Sequence, residues 1–190
     1  MQPLAAADQL ALLRIARRAL DKHIRQQDLP PPPMPAPTLE RPGGAFVTLH
    51  KSGALRGCIG RYESANPLYK TVHECALSAA LHDPRFDPVR ADEVPRLQIE
   101  ISALSPLADV TADEVVPGLH GLLVSRAGFQ GLLLPQVAVE RGWDRICFLE
   151  QTCLKAGLDK DAWRRGARIR AFTAQVFAEN ERGQENGAGV

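Results

Sequence analysis

The chain has 190 residues, a formal net charge of +1 and 45% hydrophobic residues, enough apolar material for one sizeable core or two small lobes. Acidic and basic residues are interspersed, and aromatic residues make up only 5% of the chain. This balance disfavours nucleic acids and anionic membrane surfaces as partners.

The first 27 residues predict an amphipathic helix rather than a signal peptide, because Arg14, Arg17 and Arg18 interrupt every apolar run. No segment approaches the roughly 20 apolar residues that cross a bilayer. The four cysteines do not have the spacing of a disulfide framework, so we expect a reducing, cytoplasmic location.

The remaining elements follow from hydrophobic period and from turn residues. Prolines dominate residues 28–44, which we interpret as a connector. Beyond it the pattern predicts a hairpin at 45–60, a helix at 66–82, a strand at 97–105, a hairpin at 121–135, two short helices between 135 and 157, and a last strand at 168–179. Helices and hairpins alternate without regular strand–helix repeats. The sequence therefore predicts an α+β fold, with a mainly antiparallel or mixed sheet flanked by helices.

The segment "GALRGCIG" at 53–60 is the strongest candidate for chemistry. In a strand, Leu55 and Ile59 would share a buried face, whereas Arg56, Cys58 and Gly60 would share the other. A thiolate is a nucleophile, a neighbouring guanidinium stabilises it, and Gly57 and Gly60 would leave room for a ligand. The alternative is that Cys58 is a small buried side chain in a tightly packed strand.

Three other side chains are candidates with ordinary structural alternatives. Glu100 lies on the polar face of a predicted strand, where it is either an acid–base group or merely solvated. Asp83 and Arg85 in "DPRF" either bind a ligand or form an Asp-Pro turn held by the arginine.

The histidines and cysteines do not have zinc-binding spacing, and no glycine-rich segment matches a nucleotide fingerprint. The residues therefore predict no metal site and do not identify a cofactor.

Six segments occur in an order that resembles one family: "LRGCIG", "DPRF", "ISALSPL", "HGLLV", "GLLLPQVAVERGWD" and "FLEQTCLKAGL". Together they resemble the AMMECR domain family, also called AmmeMemoRadiSam system protein A. The resemblance implies one domain over 5–178, with a larger lobe, a smaller helical lobe near 64–95 and a cleft near LRGCIG. Residues 179–190 form a polar tail that we expect to be disordered.

The resemblance also guides the choice of site residues. His120 falls within a matched segment and is the preferred histidine for the cleft, with a turn role as the alternative. Gln136 and Glu140 flank a matched short helix and are candidate ligand-binding residues.

Two functions stay open at this stage. One is a small-molecule enzyme or ligand-binding protein that uses Cys58, with Arg56, Glu100 and His120 as catalytic partners. The other is a non-catalytic accessory module for a Memo-like protein and a radical SAM enzyme, the companions that the resemblance implies.

Overall fold

The computed structural model describes residues 3–30 and 35–179. Its helices are α1 (Ala6–His23), α2 (Leu68–Leu81), α3 (Pro135–Glu140) and α4 (Arg145–Lys155). Its strands are β1 (Ala45–Lys51), β2 (Ala54–Arg61), β3 (Leu97–Leu104), β4 (Ala108–Asp109), β5 (Gly121–Arg126), β6 (Phe129–Leu133), β7 (Arg168–Phe172) and β8 (Ala174–Ala178). They form two four-stranded antiparallel sheets, which confirms the predicted α+β class. Among the described helices, none is long and apolar enough to cross a membrane.

The chain divides into two compact units. The first contains the described residues up to Ala103 together with 175–179, and the second contains Leu104–Ala174. Residues 64–95, expected as a smaller lobe, belong to the first unit, where α2 packs on β1 and β2.

The first unit is built on a sheet with strand order β2-β1-β3-β8. Alternation along β1 buries Ala45, Val47 and Leu49, while Phe46 and Thr48 on the opposite face are only half-buried. The buried face packs with the apolar stripes of α1 and α2 in one core. One face of this sheet is therefore core, and the other carries the polar candidates.

The β1–β2 hairpin closes through Ser52 and Gly53, whose φ angles are 52° and 78°. Two consecutive positive φ values are typical of a type I′ turn, which matches the twist of paired strands. The pairing of β1 with β2 contains a bulge: Leu49 pairs with Gly57, whereas the next residue, His50, pairs with Leu55. Arg56 is the extra residue of β2.

The second unit has strand order β4-β7-β5-β6, with α4 packed on β5 and β6. Phe148 and Leu149 are fully buried in its core. Asp144 caps α4, because its carboxylate accepts a hydrogen bond from the Cys147 N–H at 2.7 Å.

The predicted last strand is two strands in different sheets. Thr173 interrupts it, since its N–H and C=O both bond to Ser105. β7 then belongs to the second sheet and β8 to the first. A continuous apolar pattern does not reveal this switch.

The two segments expected to be irregular contain anchored residues. In the proline-rich connector, Pro37–Glu40 form a 3₁₀ turn that buries Leu39 completely, and residues 31–34 lie outside the described part of the chain. Glu179, assigned to the tail, accepts hydrogen bonds from the buried Arg17 on α1. The rest of the expected tail, 180–190, also lies outside the described residues.

Candidate functional site

Cys58 lies on edge strand β2, opposite Thr48 of β1, and Thr48 in turn lies opposite Glu100 of β3. Residues paired directly across strands point to the same face of a sheet. These three side chains, hereafter the Cys58 row, therefore cross the half-buried face of the first sheet. The Thr48 hydroxyl donates to the Cys58 sulfur, with 3.3 Å between Oγ1 and Sγ. Thr48 was not among the predicted site residues, although a polar residue on an alternating strand is a usable signal.

The DPRF segment holds the backbone of Cys58 from outside the sheet. The Asp83 carboxylate accepts from the Cys58 N–H at 2.8 Å, and Arg85 donates to the Cys58 carbonyl at 3.3 Å. Arg85 also donates to Asp83, at 2.7 Å and 2.9 Å. This ion pair provides hydrogen-bond partners for the N–H and C=O groups of Cys58, which an edge strand would otherwise leave exposed. It also positions the thiol on the sheet.

Asp83 is buried, and the hydrogen bond from Arg85 holds the pKa of its carboxyl well below the ordinary range. Burial alone would raise this pKa. The carboxylate is stabilised as an anion by the Arg85 side chain and by the backbone N–H groups of Cys58 and Arg85.

Asp83→Ala is expected to lower the free energy of unfolding by about 2–3 kcal/mol, because several charge-assisted hydrogen bonds are lost. Arg85 keeps an exposed side chain, so no buried charge is left behind. Hydrogen exchange at the Cys58 amide should accelerate, whereas Asp87→Asn, an exposed change in the same loop, should leave both measurements unchanged. An unchanged Cys58 amide in Asp83→Ala would contradict the assignment.

Other atoms occupy the space beside both glycines of the motif. A Cβ at Gly57 would lie 2.1 Å from the Ala79 carbonyl oxygen of α2, and one at Gly60 would lie 2.2 Å from the Phe46 ring. Both positions are thus explained by packing of the helix and of the aromatic ring.

Arg56 is not beside the thiol. Its guanidinium donates to Glu93 at 3.1 Å and 3.2 Å, and Lys51 donates to the same carboxylate at 2.6 Å. The predicted face shared by Arg56 and Cys58 is wrong because the bulge adds one residue and breaks the alternation. For the same reason Leu55, expected to be buried, is 41% exposed.

Glu93 was not among the predicted site residues. It is buried, and hydrogen bonds from Arg56, Lys51 and the Arg90 backbone hold the pKa of its carboxyl well below the ordinary value. It lies next to a 3₁₀ turn, where no periodic signal marks a buried acid.

Three predicted residues belong to the second unit. The His120 ring accepts a hydrogen bond from the Val116 N–H through Nδ1 at 3.1 Å, which stabilises the turn before β5. Gln136 is half-buried and Glu140 is exposed, both on α3. In the first unit, Asp83 and Arg85 form hydrogen bonds with the Cys58 backbone, and Glu100 lies two strands away from Cys58.

The other cysteines have different surroundings. Burial raises the pKa of Cys75 to about 11, and burial also raises the pKa values of Cys147 and Cys153. Cys75 and Cys153 lie in the cores of the two units. Within the described residues, no group of three or more His, Cys, Asp or Glu side chains is arranged to hold a metal ion.

Comparison with known proteins identifies the family. The AMMECR1 family model matches residues 13–177. The protein Mbar_A1807 of Methanosarcina barkeri is 40% identical over 181 residues, covering 90% of each chain. A protein of Methanothermobacter thermautotrophicus is 40% identical over 187 residues, covering 94% of this chain and 97% of its own. The crystal structure of the uncharacterised protein PH0010 of Pyrococcus horikoshii superposes with a TM-score of 0.79, at 38% identity, covering 89% of this chain and 90% of that one. The chain therefore belongs to the AMMECR1 family.

Proposed function

We propose that the chain binds a small polar molecule over the Cys58 row and that the Cys58 thiol is its reactive group. The observation that supports this is the alignment of a thiol, a hydroxyl and a carboxylate across three adjacent strands, on the face opposite the core. Such a combination offers a nucleophile, a hydrogen-bond donor and an acid–base group.

The spacing of the row sets the size of the ligand. Cys58 and Glu100 are two strands apart, so their Cα atoms are separated by about 10 Å. That distance is too long for a direct hydrogen bond and long enough for a small molecule to lie over Thr48. Glu100 would then act on the ligand, and not on the sulfur.

The contacts at Cys58 orient the thiol and place a cation near it. The Thr48 hydroxyl donates to the sulfur and so orients it. Arg85, whose guanidinium interacts electrostatically with Cys58, replaces Arg56 as the neighbouring cation. These contacts come from a paired strand and from a hydrogen-bonded turn, and together they position the thiol.

Alkylation of the native protein tests this proposal. With iodoacetamide, we expect Cys58 to react at least about tenfold faster than the core residues Cys75 and Cys153, because the attacking thiolate must be accessible. Thr48→Val should slow Cys58 by about fivefold, since it removes one hydrogen bond worth about 1 kcal/mol. Peptide mass spectrometry measures each site separately.

The proposal also predicts how variants respond to ligands. Cys58→Ser and Glu100→Gln should keep the wild-type melting temperature while losing the stabilisation by any compound found in a thermal-shift screen of small metabolites. The matched control is Cys147→Ser, a half-buried thiol of the second unit. If Cys58 resists alkylation until the protein unfolds, the row is structural.

A second candidate function rests on exposed apolar side chains of the second unit. Val116, Leu119 and Val139 are 48%, 53% and 66% exposed, and Gly118 brings their turn against Val139. Exposed apolar groups of this kind favour a protein partner. We infer that this surface would serve the accessory role with a Memo-like protein or a radical SAM enzyme. Leu119→Ser with Val139→Ser should then abolish binding of the purified partner and leave Cys58 alkylation unchanged.

A further inference from the structure

A small pocket between α1 and α2 has a different composition from the Cys58 row. Its volume is about 170 Å³. The lining residues are Ile15, Arg18, Ala19, Lys22, His23 and His73. Four of the six are cationic or can become so, and they come from two helices.

The two imidazoles are close together, with ring centroids 5.6 Å apart in an edge-to-face arrangement. The pKa of His73 is lowered by burial and further by the neighbouring His23 and Lys22, although Glu74 opposes this. Burial is the larger cause, and repulsion from the neighbouring basic side chains adds to it. A bound anion would relieve that repulsion.

The nearby acidic groups already have partners. Asp21 pairs with Arg25, and Glu74 pairs with Arg61 and receives a hydrogen bond from Asn66. Within the described part of the chain, no carboxylate forms an ion pair with Lys22 or Arg18.

Two further features bear on an anion here. The last turn of α1 presents carbonyl groups, which disfavour anions, but the Leu20 and Asp21 carbonyls accept hydrogen bonds from Ile24 and Gln27. Arg18 donates to the carbonyl of Pro30, which anchors its guanidinium beside the pocket.

We propose that this pocket binds a phosphate monoester dianion. Arg18 and Lys22 would bind the phosphate oxygens, and the His23 and His73 rings would donate further hydrogen bonds to them. The organic part would contact Ile15 and Ala19, the apolar portion of the lining. A tetrahedral dianion has more acceptor oxygens to share among the several basic residues of this lining than a single carboxylate has.

Sulfate is the first probe, because it stays a dianion across the histidine range and phosphate does not. In calorimetry at low ionic strength, sulfate should bind one site, more tightly at pH 6 than at pH 8, because the bound anion favours protonation of His73, which adds positive charge. Inorganic phosphate and phenyl phosphate are then compared at pH 8. Tighter binding of phenyl phosphate supports an ester, and equal binding assigns the site to free phosphate, which overturns the ester proposal.

Charge-neutralising variants locate the site. Lys22→Gln and Arg18→Gln should each weaken sulfate by about tenfold, as expected for one charge-assisted hydrogen bond. The matched control is Arg126→Gln, the same charge change at the exposed β5–β6 turn, which should bind sulfate normally. In NMR, the His73 ring signals should shift on saturation, and its apparent pKa should rise.

The outcomes separate this site from the Cys58 row and from other ligands. Cys58→Ser should retain full sulfate binding, so failure of the Cys58 proposal leaves this one standing. Sulfate binding that is absent, or that survives Lys22→Gln and Arg18→Gln together in a folded protein, would overturn it. Binding of Zn²⁺ through the two histidines without sulfate binding would overturn it as well.

Discussion

Replacing Glu93 with glutamine is expected to lower the free energy of unfolding by about 3–5 kcal/mol, because it leaves a buried guanidinium without its counter-charge. Arg56 is 15% exposed and depends on Glu93 for its ion pair, whereas Lys51 is 32% exposed and stays hydrated. Urea unfolding of both proteins at pH 7 measures the difference.

The same substitution should make the free energy of unfolding depend less on pH in the acid range. The pKa of Glu93 is depressed in the folded state, so the unfolded state binds the proton more readily. Its contribution is complete above the ordinary glutamate pKa of 4.5 and is lost as the pH falls below that value. Between about pH 5 and pH 3, Glu93→Gln should therefore lose less stability per pH unit than the wild type.

Asp92→Asn is the matched control, because the Asp92 carboxyl is 57% exposed and pairs with Arg90 and Arg96, which are exposed as well. It should leave the free energy of unfolding nearly unchanged. In an Arg56→Gln background, Glu93→Gln should lower the free energy of unfolding by less, because the Arg56 guanidinium that it would leave unpaired is already absent. Equal effects in both backgrounds would contradict the ion-pair explanation.

Period-two and period-3.6 patterns predicted most of the fold. The hairpin at 45–60 and the strand at 97–105 are confirmed within one or two residues, because one face of their sheet is core. The patterns failed where a strand changes its partner or its alternation. Thr173 divides β7 from β8, and the bulge at Arg56 is fixed by pairing with β1.

The candidate site was predicted by residue type better than by geometry. Cys58 and Glu100 were placed on strands correctly, and the shared row emerges only from the pairing of both strands with β1. The Asp83–Arg85 turn was among the stated alternatives, but its target, the Cys58 backbone, is 25 residues away in sequence. Long-range partners of this kind leave no local periodic signal.

Gly57→Ala tests whether LRGCIG uses its first glycine for packing or for a ligand. The added methyl would lie 2.1 Å from the Ala79 carbonyl oxygen, a backbone atom that cannot move without α2. We expect the free energy of unfolding to fall by about 3 kcal/mol, at the upper end of overpacking costs. Gly43→Ala is the control. The nearest atoms to its Cβ would belong to the Leu68 side chain, from 3.3 Å, so the cost should stay within about 1 kcal/mol of zero.

A glycine kept for ligand access would behave differently. Gly57→Ala would then retain wild-type stability while its thermal-shift response to ligands disappears. Loss of stability with unchanged alkylation of Cys58 in the folded fraction would assign Gly57 to the contact between α2 and β2. It would also leave the thiol as the part of the motif that is available for chemistry, because Cys58 points to the sheet face opposite α2.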